Sequence, residues 1–94
     1  MMRWVIAYDI PDDRRRTRIA ALLEGFGDRV QHSVFEAVLN DTVRHSLERQ
    51  LRRLLNPEED TLRLYPLCNA CAEKVVDLGR VARKPFDEPD LIIV

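Results

Sequence analysis

Apolar positions recur along the chain with two different spacings, which predict alternating strands and helices. The stretch MRWVIAY alternates Trp4, Ile6 and Tyr8 with Val5 and Ala7. Because both sets are apolar, this pattern indicates a central strand that is covered on both faces. The start of the chain therefore predicts an inner strand of a sheet.

The next segment has the spacing of an amphipathic helix. Asp12 or Asp13 can cap its N-terminus, where a carboxylate is favoured. The sequence GFG at 25–27 ends it. Apolar residues at i, i+3, i+4 and i+7 form one buried stripe. These residues are Ile19, Leu22, Leu23 and Phe26.

The segment RVQHSVFEAVL, at 29–39, is rich in strand-forming residues but long for one strand. We therefore expect a bend or two short strands, with the break near His32–Ser33. Asn40 and Asp41 then cap a second helix. Its apolar stripe consists of Val43, Leu47, Leu51, Leu54 and Leu55.

Two further strands are predicted, at Thr61–Leu67 and at Lys74–Gly79, and Pro66 favours an edge or end position in the first. A polar stretch then precedes a final apolar segment. That segment is predicted as a C-terminal strand formed by Leu91, Ile92, Ile93 and Val94.

The order of these elements predicts an α+β fold, a ferredoxin-like antiparallel sheet with two helices on one face. We assign residues 1–79 to this domain and residues 80–94 to a C-terminal arm and strand. Because the first strand is apolar on both faces, the second face needs a cover, and a second copy of the chain would provide it. We therefore expect a sheet-to-sheet homodimer, in which the terminal strand joins its own sheet or the partner's.

Composition narrows the class of protein. The 94 residues suit one small domain, and 46% hydrophobic and 33% charged residues indicate a folded soluble one. No apolar run is long enough for a membrane span, and the N-terminus lacks the features of a signal peptide, so we predict a cytoplasmic protein without membrane contact.

Charge is distributed unevenly although its net value is only −1. Residues 1–53 carry ten arginines against eight acidic residues, whereas residues 54–94 carry five basic and eight acidic residues. Arginine suits bidentate phosphate contacts. The same clusters are also typical of solvated helix faces.

Cys68 and Cys71 form one C-x-x-C pair. A single pair supplies half of the ligands of a structural zinc site, so we expect two free thiols in or near a turn and assign them no role.

Asp9 lies where the first strand ends, before Pro11. It is either a turn-forming or capping residue or a functional one, since strand ends often carry function. In a two-fold dimer, two Asp9 carboxylates would meet, and a Mg²⁺ ion could bridge them and assist phosphodiester hydrolysis. Arg16 is predicted on the buried side of the first helix, facing the strand end, where it either binds phosphate or only extends its stem over apolar surface.

The motifs YDI and FGDRVQHSVFE, with the short length, resemble the CRISPR-associated Cas2 family, the small subunit of the spacer-acquisition machinery. The resemblance covers residues 2–79. It implies a ferredoxin-like homodimer in which Asp9 binds Mg²⁺ or Mn²⁺ and is catalytic. Its nucleic-acid-binding or site-supporting positions correspond to Tyr8, Arg16, Arg18, Arg29, Ser33 and Phe35. His32 stands where the family usually has an aromatic residue.

The resemblance implies a metal-dependent endoribonuclease, with cleavage of double-stranded DNA in some members. It also implies a platform for duplex DNA that bridges the CRISPR integrase subunit, with the strand Leu91–Val94 contacting the dimer partner or the integrase. Two hypotheses follow: an endonuclease centred on Asp9, acting on single-stranded RNA or duplex DNA, and a non-catalytic DNA-binding scaffold. A small-molecule sensor is disfavoured, because no glycine-rich phosphate loop is present.

Overall fold

The structure is a computed structural model that describes residues 1–79. The predicted arm at 80–94, with its strand Leu91–Val94, lies outside the described residues. The described elements are β1 (Met2–Asp9), α1 (Asp13–Glu24), β2 (Asp28–Gln31), β3 (Val34–Leu39), α2 (Asp41–Leu54), β4 (Thr61–Leu67) and α3 (Asn69–Ala72).

The strands form one four-stranded sheet in the order β2-β3-β1-β4. β1 pairs antiparallel with both β3 and β4, and β2 pairs antiparallel with β3. α1 and α2 each connect two strands that are separated by a third, which is the ferredoxin-like arrangement. The predicted fold class and the inner position of β1 are therefore confirmed.

The core lies between α1, α2 and one face of the sheet. β1 contributes Ile6 and Tyr8, and β3 contributes Phe35, which is fully buried. The stripes of the two helices supply the facing surface, with Ile19, Leu23, Leu47 and Leu51 buried. Val43 in the first turn of α2, which was predicted in the apolar stripe, is exposed instead.

The helix ends follow the predicted capping residues. Asp12 caps α1 by accepting a hydrogen bond from the Arg15 N–H at 2.9 Å. Asn40 caps α2 by accepting one from the Val43 N–H at 2.8 Å. Each cap satisfies a backbone donor that has no partner within its own helix. Gly25 forms the C-cap of α1.

The predicted break in the 29–39 segment is also confirmed. β2 ends at Gln31, a turn occupies His32 and Ser33, and β3 begins at Val34. The approach to β2 is tight at Gly27, where a Cβ would lie 2.7 Å from the Ala37 Cβ and would overlap the Glu36 carbonyl oxygen. Glycine therefore allows the chain to enter β2 in contact with the backbone of β3.

The face of the sheet opposite α1 and α2, called here the open face, carries the alternate residues of each strand. Strand register places three rows of side chains there, followed by the Asp9–Thr61 pair. These rows are Arg3 with Val38 and Leu67, Val5 with Glu36 and Tyr65, and Ala7 with Val34 and Arg63.

The strand prediction at Lys74–Gly79 is wrong. The chain instead forms the short helix α3 and a turn, and continues to Gly79 without strand pairing. Val76 and Leu78 are 74% and 87% exposed, so their side chains are not packed into the core of the described part of the chain. Apolar alternation alone does not form a strand without a paired edge. Among residues 1–79, no helix is long and apolar enough to cross a membrane.

Candidate active site

Asp9 is the last residue of β1 and lies opposite Thr61 of β4 on the open face. It is exposed. Its carboxylate makes no hydrogen bond or ion pair with any other residue between 1 and 79. The capping function at the start of α1 belongs to Asp12 instead. The capping alternative for Asp9 is thus removed, and its carboxylate is available for a ligand.

A wide cleft of about 940 Å³ runs along the β4 edge beside Asp9. Arg52 of α2 and Arg63 of β4 line it together with Asp9. The Arg63 guanidinium lies 5.7 Å from the centre of the Tyr65 ring and donates a hydrogen bond to the Tyr65 hydroxyl at 3.4 Å. Arg52 is 3.8 Å from Glu48, but its side chain is 75% exposed. The cleft therefore combines an acid with two cations that can contact anionic groups.

Neither Arg52 nor Arg63 is among the site residues predicted from the sequence. The alternation in TLRLYPL contains a signal for Arg63, because Thr61, Arg63 and Tyr65 share a strand face with one another. The register between β1 and β4 brings that face beside Asp9, and this register is visible only in the folded chain.

Three of the family-implied positions form one cluster on the helix side of the sheet. The rings of Tyr8 and Phe35 stack with their centres 6.3 Å apart. The Arg29 guanidinium lies 5.2 Å from the centre of the Phe35 ring and 3.7 Å from the Glu24 carboxylate. Tyr8 and Asp9 are consecutive in a strand, so their side chains lie on opposite faces. This cluster therefore packs on the helix side of the sheet, behind Asp9, and does not join Asp9 on the open face.

Ser33 acts through its backbone. Its carbonyl oxygen accepts a hydrogen bond from the Tyr8 N–H at 3.1 Å, which extends the β1–β3 pairing up to the residue before Asp9. His32, beside it, is exposed and lines a cleft of about 290 Å³ with Tyr8, Arg16 and Arg29.

The two arginines selected on α1 differ in their contacts. Arg16 is half-buried, donates a hydrogen bond to the Ile10 carbonyl at 2.9 Å, and forms an ion pair with Asp13. The Arg16 guanidinium therefore faces the loop that follows β1 and stabilises that loop. Arg18 is exposed and, within residues 1–79, makes no ion pair or hydrogen bond. Phosphate binding by either residue stays a prediction.

The chain matches known proteins over most of its length. The model of the family described as CRISPR associated protein Cas2 matches residues 2–75. The chain belongs to the Cas2 family. It is 41% identical over 93 residues to "CRISPR-associated endoribonuclease Cas2 4" of Rhodospirillum rubrum, covering 99% of this chain and 75% of that protein. It is 46% identical over 88 residues to "CRISPR-associated endoribonuclease Cas2" of Thermus thermophilus, covering 94% of each.

Solved structures agree with this assignment to the Cas2 family. The crystal structure of Streptococcus pyogenes Cas2 superposes with a TM-score of 0.76 at 26% identity, covering 83% of this chain and all of that one. A chain of a partial Cas6-RT-Cas1–Cas2 complex superposes with a TM-score of 0.76 at 29% identity, covering 92% of this chain and all of that one.

An ion pair that the sequence analysis missed joins α1 to the start of β4 in this Cas2-family chain. The Arg15 Nε lies 2.7 Å from the Asp60 carboxylate, and the Asn56 N–H donates to the same carboxylate at 2.9 Å. The hydrogen bond from Arg15 is the main cause that lowers the pKa of Asp60. Asp60 directly precedes Thr61, so this pair fixes the backbone beside Asp9. Arg15 was not distinguishable from its neighbours, because its partner lies 45 residues away.

The donor set at Asp9 can be tested against the Mg²⁺ or Mn²⁺ that the Cas2 family implies. Residues 1–79 contain no group of three or more His, Cys, Asp or Glu side chains arranged to hold a metal ion. Mg²⁺ needs only one or two carboxylates when waters and substrate phosphate complete its shell. An exposed carboxylate that forms no ion pair with Arg52 or Arg63 fits that mode, either alone or with the Asp9 of a second protomer.

Proposed function

We propose that this chain is a CRISPR adaptation subunit that acts with an integrase and cleaves phosphodiester bonds at Asp9 as a metal-dependent endonuclease. The observation that carries the proposal is the free, exposed Asp9 carboxylate in a cleft lined by Arg52 and Arg63. The names of the relatives, which are endoribonucleases, and the structural similarity to a chain of a Cas1–Cas2 complex support it. This role belongs in the cytoplasm, where its nucleic-acid substrates and the integrase would be found.

The active form that we propose is a homodimer joined through the open faces. That face presents apolar side chains that α1 and α2 leave uncovered. Val38 and Tyr65 are 49% and 46% exposed, and Val5 and Val34 are half-buried. Burying apolar surface of this kind favours association. A two-fold axis near the ends of the β1 strands would bring two Asp9 carboxylates together.

In this site, the residues of the chain bind and orient the substrate. Arg63 and Arg52 would contact phosphates that flank the bond to be cleaved, because guanidinium groups bind phosphate oxygens strongly. Asp9 would hold Mg²⁺ or Mn²⁺. When bound there, such a cation would supply activation of water and shielding of the charge that develops on the phosphodiester. The Tyr8–Phe35 packing and the Arg15–Asp60 pair hold the strand ends that carry Asp9 and Thr61.

The test compares Asp9→Asn with Asp41→Asn. Asp41 is also exposed, but it follows β3 at the end of the sheet where Met2 pairs with Leu39, and Asp9 lies at the other end of β1. We expect Asp9→Asn to abolish cleavage of single-stranded RNA and duplex DNA in Mg²⁺ or Mn²⁺, and Asp41→Asn to cleave as the unchanged protein does. Highly purified Asp9→Asn protein that cleaves at the normal rate would refute the nuclease proposal.

A scaffold without catalysis is the second candidate. The exposed Arg18, together with the similarity to a chain of an integrase complex, favours it. In this case duplex DNA would bind across the arginine-rich surface, and the dimer would join integrase subunits. If Asp9→Asn loses cleavage but still assembles with the integrase and supports spacer acquisition, scaffolding is the role that acquisition requires. If acquisition is lost with cleavage while assembly persists, catalysis is required.

A further inference from the structure

The sequence Cys68-Asn69-Ala70-Cys71 has no role in the proposed function. Cys68 is the N-cap residue of α3, and Cys71 lies in the single turn of that helix. Both thiols are free and exposed. They follow β4 at the end of the sheet where β1 begins, since α3 and Arg3 line a common cleft. The pair therefore lies at the opposite end of β1 from Asp9.

The backbone brings the two thiols onto one side of a helical turn. The Cys71 N–H donates a hydrogen bond to the Cys68 sulfur at 3.4 Å. The sulfur of Cys71 is separated from that nitrogen by only three bonds, so rotation about its Cα–Cβ bond can bring it to Cys68. A disulfide requires the two Cβ atoms to lie about 3.5–4.5 Å apart, and the contact between the Cys71 N–H and the Cys68 sulfur already holds the two residues close together. Only a small adjustment of the first turn would be needed.

The two thiols differ in their ease of ionisation. The hydrogen bond from the Cys71 N–H is the main cause that lowers the pKa of Cys68, and a hydrogen bond from the Cys71 side chain adds to it. The same side-chain hydrogen bond raises the pKa of Cys71. The thiolate is the form that attacks a disulfide. In a thiol–disulfide exchange, Cys68 would therefore attack first and Cys71 second.

We propose that Cys68 and Cys71 form a thiol–disulfide exchange site whose substrates are low-molecular-weight disulfides. The Cys68 thiolate attacks one sulfur of the substrate, the substrate S–S bond breaks, and the released thiolate takes up a proton from water. Cys71 then loses its proton and attacks the Cys68 sulfur of the mixed disulfide. The second substrate thiol leaves, and a Cys68–Cys71 disulfide remains. Two protein thiols are oxidised while one substrate disulfide is reduced to two thiols.

The test equilibrates the full chain with reduced and oxidised glutathione at a series of ratios and records intact mass after acid quenching. We expect the unchanged chain to lose two hydrogens and two titratable thiols together. Cys71→Ser keeps the backbone N–H and a hydroxyl donor beside Cys68, so it should stop at one bound glutathione. Accumulation of glutathione adducts or of disulfide-linked dimers in the unchanged chain, without the intramolecular disulfide, would overturn the proposal.

The order of attack is tested separately by alkylation of the reduced single variants with iodoacetamide at neutral pH. Cys71→Ser should react several-fold faster than Cys68→Ser, because it keeps the thiol whose pKa is lowered. Equal rates, or faster reaction of Cys68→Ser, would contradict the assignment of Cys68 as the attacking thiol. Neither measurement depends on cleavage at Asp9, so the exchange site and the proposed nuclease can fail independently.

Discussion

Gly27 allows a direct test of how closely the chain approaches β3 at the start of β2. Gly25, two residues earlier, provides a control glycine. An added Cβ at Gly27 would lie 2.7 Å and 2.8 Å from the Cβ and Cα of Ala37 and would overlap the Glu36 carbonyl oxygen. These are mainly backbone atoms of β3, which is paired on both sides and cannot move as a side chain can. Relief requires β2 to separate from β3.

We expect Gly27→Ala to lower the free energy of unfolding by about 3 kcal/mol, the upper end of the usual cost of overpacking. For a domain of this size, that corresponds to a fall in Tm of about 12–24 °C. Gly25→Ala is the control, because Gly25 has right-handed helical angles and its added Cβ would meet only the Leu22 carbonyl at 3.4 Å. That substitution should be neutral or stabilise by up to about 1 kcal/mol.

Urea unfolding followed by circular dichroism measures both free energies. Protein concentration must be equal in all samples, because dimerisation makes apparent stability depend on it. Equal stability of Gly27→Ala and Gly25→Ala would refute the reasoning, since it would mean that β2 and β3 do not approach as closely as the structure shows.

The remaining predictions concern charge. Asp60→Asn should destabilise the protein at neutral pH. Because the folded pKa of Asp60 is below its ordinary value of 3.8, the stability that its ionisation contributes is present above that value and is lost as the pH falls through the lower folded pKa. The difference in unfolding free energy between the two proteins should therefore shrink in acid, and an unchanged difference at pH 3 and pH 7 would contradict the Arg15–Asp60 pairing. Arg18→Glu should weaken binding of duplex DNA and lower the slope of log affinity against log salt by about one unit. An equal effect from Arg53→Glu in the last turn of α2 would instead indicate a general effect of net charge.

Most of the fold was predictable, because its signals are local. Asp12 and Asn40 cap the two helices that their positions indicated, and β4 has the bounds that its composition suggested. The bend or break that the sequence indicates near His32–Ser33 is also present, as a turn between β2 and β3. Each of these features depends on neighbouring residues along the chain.

The features that were missed depend on contacts between distant residues. Arg15 and Asp60 look ordinary in sequence, and only the packing of α1 beside the β4 start joins them. The cleft arginines become neighbours of Asp9 only in the folded chain, Arg63 through the register of β1 and β4 and Arg52 through the position of α2. At 74–79, the local sequence has the apolar pattern of a strand. A strand also needs a partner strand to pair with, and local sequence does not show whether one is within reach.

Tyr8 and Asp9 are adjacent in sequence, yet their side chains lie on opposite faces of the sheet. This arrangement has an evolutionary consequence. A residue on the helix side of the sheet, such as Phe35, is expected to tolerate only substitutions that leave the orientation of the β1 end unchanged. A rotation of that end would displace the Asp9 carboxylate on the open face. Selection on the proposed cleavage at Asp9 would therefore also restrict the interior, and variants with altered specificity should carry compensating changes among residues that do not contact substrate.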